Sequence, residues 1–229
     1  MPIVLPIAGS AEAPGPLSVT SDGVWICSYS PYNTFDPSVK VDRSQVVYLR
    51  STDQGATWSH GSMLRFEDTE STAAGSWVVE LADRRLLGAC WHIAPHGKND
   101  YPNAFALSHD RGLTWTPTRS TGTLGQSSSL TALQDGRVLL AYKKLQHCDP
   151  VNRLAVGKPT NDDFGIEVDE LIWKAEVRTQ SNTSGDHEEW QDYSFGDPAV
   201  TVLPDSTFLI AFWLIQPDVR GIGFVKVLI

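Results

Sequence analysis

The chain has 229 residues, 41% of them hydrophobic and 20% charged, a balance that excludes a disordered polymer. The formal net charge is −9 with no dense basic run, which argues against a nucleic-acid partner, and no apolar run approaches the roughly 20 residues of a membrane-spanning helix. Three cysteines, Cys27, Cys90 and Cys148, fit neither a disulfide framework nor a metal site, so no cofactor or metal is expected. The apolar stretch 1–8 lacks the basic start of a signal peptide, and a cytoplasmic location is expected.

In chain order, residues 2–7 come first, and their two prolines suit an edge strand. Residues 17–29 form a strand, a turn at Asp22-Gly23 and a second strand. A loop at 30–43 leads to a third strand at 45–49, and Ser51-Thr52-Asp53-Gln54-Gly55-Ala56-Thr57-Trp58 follows. The series then returns. A hairpin at 76–91 turns at Asp83-Arg84, a loop covers 92–101, a strand covers 103–107, and Ser108-His109-Asp110-Arg111-Gly112-Leu113-Thr114-Trp115 follows. A third hairpin at 129–142 turns at Asp135-Gly136 and leads through 153–156 into an irregular stretch at 157–165. A fourth at 199–213 turns at Asp205-Ser206, and the chain ends on a strand at 223–229.

The two eight-residue segments share S-x-D-x-G-x-T-W and lie 57 residues apart. The pattern is that of a tight turn between strands. Glycine supplies the positive φ, and the aspartate accepts hydrogen bonds from its own turn. Asp53 and Asp110 are therefore expected to be structural. The second strand of each hairpin is almost wholly apolar, as in Val138-Leu139-Leu140-Ala141-Tyr142, which predicts strands buried on both faces. Cys27 and Cys90 lie on such strands as free thiols. Four units of three or four strands predict an all-β propeller with blades at 15–66, 75–120, 126–178 and 196–229, residues 1–8 completing the last one.

The paired S-x-D-x-G-x-T-W boxes on repeated four-stranded units resemble the Asp-box, or bacterial neuraminidase repeat, family typified by sialidases. Residues 193–205, Tyr-Ser-Phe-Gly-Asp-Pro-Ala-Val-Thr-Val-Leu-Pro-Asp, resemble the start of the last blade in sialidase-like proteins. The resemblance implies a sialidase-like β-propeller, typically six-bladed, and hydrolysis of terminal linkages of an acidic sugar. It implies a carbohydrate substrate; the net charge and the short apolar runs already give the expectation of no nucleic-acid and no membrane partner. Four units in place of six leave three readings: part of a longer protein, a small closed propeller, or a ring completed by association through exposed blade edges as a homo-oligomer. Two other functions stay open: a non-catalytic propeller that binds carbohydrate or protein, and a hydrolase or lyase acting on uronic-acid glycans.

By the same resemblance, the pocket faces away from the boxes, among the loops that follow each second strand and the links between blades. Sialidase chemistry asks for arginines that clamp a carboxylate, a tyrosine nucleophile with a glutamate, and an aspartate acid/base. No Arg-Ile-Pro motif carries the first clamp residue here. The expected catalytic residues are Asp197, Glu188, Glu189 and Tyr193. The expected substrate-binding residues are Arg43, Arg153, Arg220, Trp190 and His92.

Overall fold

The computed structural model describes residues 3–12, 15–32, 34, 36–95, 100–145, 150–181 and 192–229. Among the described residues, four antiparallel sheets follow one another along the chain. In the first, β1 (Ala11–Glu12) and β2 (Ser18–Val19) both pair with β3 (Trp25–Pro31), as two pieces of one interrupted inner strand, and β4 (Gln45–Ser51) and β5 (Ser59–Arg65) follow outward. The second sheet holds β6 (Thr72–Glu80), β7 (Leu86–Ile93), β8 (Ala104–Ser108) and β9 (Arg119–Ser120). The third holds β10 (Gln126–Ala132), β11 (Val138–Lys144), β12 (Val151–Gly157) and β13 (Ile166–Lys174). The fourth has three strands, β14 (Phe195–Val202), β15 (Phe208–Gln216) and β16 (Val219–Val227).

Each sheet is a blade. Strand β6 lies beside β3 and β10, and β10 lies beside β14, so the inner strands line a common axis and the sheets stack face to face around it. Because successive side chains point to opposite faces, each second strand feeds two cores. Leu86 and Cys90 of β7 pack toward blade one, with Ile26, Val46 and Met63. Leu87 and Ala89 of the same strand pack toward blade three, with Leu140 and Tyr142. Leu139 and Ala141 of β11 then meet Val200 and Ile210 of blade four. This double use is why the sequence runs are apolar without alternation. Burial raises the Cys90 thiol above its ordinary range, leaving it a small hydrophobe.

All four hairpin turns share one geometry. Gly23, Arg84, Gly136 and Ser206 have φ of 83°, 72°, 85° and 63°, and each donates its N–H to the carbonyl three residues earlier. The two S-x-D-x-G-x-T-W turns are near copies. In the first, Asp53 Oδ1 accepts from Ser51 Oγ (2.8 Å) and Thr57 N (2.8 Å), and Oδ2 accepts from Thr57 Oγ1 (2.6 Å). Asp110 repeats this with Ser108 and Thr114 at 2.9, 2.8 and 2.6 Å. The second turn also locks onto blade one, where Arg50 Nε donates to Arg111 O and Tyr48 OH to Leu113 O. Blade three lacks the motif, and Phe164 fills the place, edge-on to Phe105 at 5.2 Å.

The ends of the chain differ from expectation. Residues 3–8 form no strand, and Ile7 packs on Tyr29, Val47 and Leu49 of blade one rather than on blade four. Blade one accordingly begins at β1 rather than at residue 15. Strand β16 is the outermost strand of blade four among the described residues, with Ile222 at 72% and Phe224 at 70% exposure.

Candidate functional site

The starts of the inner strands and the ends of the second strands share one face, as the pairs Thr72 with Ile93, Gln126 with Lys143 and Phe195 with Leu214 require. On this face three blades repeat one position. Trp91, Lys143 and Trp213 pair with Ala74, Gln126 and Gly196, and each inner strand bulges immediately afterwards. Bulges re-aim side chains and are common beside active sites.

Asp197 sits on the blade-four bulge with φ 52°, a left-handed conformation that few side chains adopt. The equivalent bulge of blade two has Gly75 with φ 57°. Asp197 is exposed, and its Oδ2 accepts a hydrogen bond from Trp213 Nε1 at 2.8 Å. Trp91 Nε1 donates in the same manner to Asp100 Oδ1 at 2.7 Å. Between these two indole–carboxylate pairs lies Lys143, only 2% exposed. It alternates with Leu139 and Ala141, and so faces blade four. Its Nζ lies 4.4 Å from the centre of the Tyr193 ring, a cation–π contact. Gly196 makes room for it: a Cβ there would come within 2.8 Å of Nζ. Burial pulls the Lys143 ammonium down to about 8, while the negative charges of Asp197 and Asp100 pull it back up, so it is mostly protonated at neutral pH. Asn152, directly across from Lys143 on β12, is fully buried, and neither side-chain polar atom has a hydrogen-bond partner among the described residues. A charged donor and an amide thus stand together under the mouth, flanked by Tyr193, Trp173 and Phe195.

Of the residues expected from sequence, Asp197 and Tyr193 meet here, the tyrosine as a buried platform beneath Lys143. Glu188, Glu189 and Trp190 lie outside the described residues. The three arginines have separate surroundings. Arg43 lies over the Tyr32 ring at 5.6 Å, and Arg153 pairs with Asp169 at 2.9 Å on the side of blade three that faces blade two. Arg220 stands exposed on β16. His92 faces blade one, opposite to Trp91. It stacks on Phe66, and burial lowers its pKa to about 4, so it is neutral at pH 7. Lys143, Asp100 and Asn152 were not expected. The available signal was positional: aligning the second strands sets a lysine where blades two and four carry tryptophan.

No protein-family model matches the chain, and no curated protein matches its sequence. Solved structures do. An α-L-arabinanase of Penicillium chrysogenum, solved with arabinobiose, is 16% identical with a TM-score of 0.62, over 94% of this chain and 62% of that one. A protein of unknown function from Dyadobacter fermentans is 15% identical with a TM-score of 0.53, over 93% and 74%. The NanB sialidase of Streptococcus pneumoniae is 21% identical with a TM-score of 0.52, over 92% and 29%. These likenesses establish the propeller fold, and the chain spans about three-fifths of the arabinanase's length.

Proposed function

We propose that the chain is a propeller glycoside hydrolase whose reaction takes place at the mouth, beside Asp197. The observation that carries this is a carboxylate on a left-handed bulge, oriented by an indole N–H and facing a buried ammonium. Glycoside hydrolysis in its general form needs two carboxyl groups, one of which handles the proton of the leaving oxygen. Asp197 takes that role here. Asp100, across the mouth, or the Glu188-Glu189 pair supplies the second.

The narrower form of the proposal is sialidase-type release of a terminal acidic sugar. Lys143 would meet the sugar carboxylate, and Tyr193 would act as nucleophile after a shift that frees its hydroxyl from burial. A neutral, arabinose-type substrate is the second reading. It is favoured by the dispersal of Arg43, Arg153 and Arg220, and it matches what the arabinanase neighbour binds. Lys143 and Asn152 then serve as hydroxyl donors.

Turnover of a sialic acid glycoside, a uronide, an arabinofuranoside and neutral hexosides separates these readings. Hydrolysis of any one that disappears in Asp197→Asn supports the proposal. A folded protein that turns over none of them overturns it.

A further inference from the structure

A groove of 770 Å³ lies between β5 with its following residues and the β8–β9 connection, which are bridged where Arg65 N donates to Thr118 Oγ1 at 2.9 Å. It lies on the blade-one side of β7, opposite to the side from which Trp91 reaches Asp100. One wall is a ladder of three rings. Phe66 and His92 are stacked with centroids 3.9 Å apart and planes 11° apart, and Tyr101 follows at 4.7 Å from His92. Tyr101 is 37% exposed, so the ladder ends in an accessible ring. Trp115 also lines the groove.

The polar groups narrow the class of ligand. The charged residues of the lining are Arg65, Arg119, Glu67 and Asp68, two of each sign. Arg65 is already paired with Asp42 at 2.8 Å, and Asp68 accepts the Tyr101 hydroxyl at 3.2 Å. His92 is neutral at pH 7, held so by its burial. An anionic ligand would meet no surplus of positive charge, and a purely apolar one would leave two guanidinium and two carboxylate groups facing its surface. A neutral saccharide satisfies both demands: its C–H face stacks on aromatic rings, and its hydroxyls donate to carboxylates and accept from guanidinium groups. The volume falls within the roughly 300–1,000 Å³ of small-molecule sites.

We propose that this groove is a second saccharide site, which holds a short neutral oligosaccharide against Tyr101, the exposed end of the Phe66–His92–Tyr101 ladder, apart from the mouth at Asp197. The site stands on its own geometry and does not require hydrolysis at Asp197. On a polymeric substrate it would tether a distant part of the chain and raise the effective concentration of the reacting end.

The test is titration of the full chain with arabinotriose, xylotriose, cellotriose and maltotriose, followed by calorimetry and by the Trp115 indole N–H resonance. That N–H is buried behind the groove wall and meets no acceptor among the described residues, so its resonance reports on changes in the packing of the wall. Sialyllactose and inorganic phosphate serve as anionic counter-probes. The expected result is that at least one neutral trisaccharide binds and shifts the Trp115 resonance. Tyr101→Ala should then weaken binding by about tenfold, the loss of one stacking ring. Arg119→Ala, at an exposed position, should weaken it less, and Asp197→Asn should leave it unchanged. Failure of all four neutral probes to bind folded protein overturns the proposal. So does binding that Asp197→Asn abolishes, binding indifferent to both Tyr101→Ala and Arg119→Ala, or stronger binding of the anionic probes.

Discussion

The two ends of the blades use aspartate in opposite ways. At the turn end, Asp53 and Asp110 spend their oxygens on their own turns, accepting from serine and threonine hydroxyls and from backbone N–H groups. At the mouth, Asp197 and Asp100 each accept an indole N–H, and both act on the buried charge of Lys143. The turn aspartates stabilise the fold locally. The mouth aspartates stand beside a charge whose burial costs stability, which is the usual mark of a site selected for function. Residue type therefore says little about an aspartate's role; the partners of its oxygens say more.

Exchanging the two kinds of aspartate should break this comparison cleanly. Asp197→Asn should lower kcat by about 10²–10⁴ on whichever glycoside the wild type turns over, with a smaller loss of stability than Asp110→Asn, because it removes one of the two charges that offset the buried Lys143. Asp110→Asn should do the reverse, with near-normal kcat and a loss of about 1–3 kcal/mol in denaturant unfolding. If the two variants behave alike, the division between the ends of the blades is wrong.

Lys143→Met sharpens the contrast further. It should reduce kcat/KM by about tenfold or more, and yet raise stability by about 1–2 kcal/mol, because a buried ammonium is replaced by an apolar chain of similar length. The lysine titrates near 8 when folded and near 10.4 when unfolded, so the unfolded chain holds the extra proton between those values. The cost of burying it is thus full below pH 8 and relieved as the pH rises toward 10.4. Wild-type stability should gain on Lys143→Met across that window, as thermal melts at pH 7 and pH 10 would reveal.

The smallest expected effect is at the turn end. The hydroxyl and N–H of Thr57, with Ser51, hold the Asp53 carboxyl down to about 2. In the unfolded chain it titrates near 3.9, so its stabilisation is complete above about pH 4 and is lost as the pH falls through about 2. Between pH 5 and pH 2.5, the melting temperature of wild type should therefore fall slightly further than that of Asp53→Asn. An equal fall in both would mean that the turn's hydrogen bonds contribute nothing net.

The sequence by itself determined the strands, the turns and their repetition. Those are local properties. Glycine or aspartate at a fixed offset dictates a turn, and an unbroken run such as residues 138–142 dictates a strand with two buried faces. The structural role of Asp53 and Asp110 was legible for the same reason, since the bonding partners of each lie within four residues. Asp197 and Tyr193 were legible as candidates because they lead into the last hairpin. Tertiary structure alone decided the rest. Lys143 comes from the end of β11, Asp100 from the connection between β7 and β8, and Asp197 from the bulge of β14, and no spacing in the chain encodes their approach around the axis. The three arginines were expected together as substrate-binding residues, and each lies at or near the start of a third strand, yet Arg153 was claimed by Asp169, sixteen residues away on the neighbouring strand. The N-terminal segment had the pattern of an edge strand but settled on blade one, where Ile7 found an apolar surface. Edge patterns state that a segment can pair; which surface it covers is set by the apolar area that the folded blades leave open.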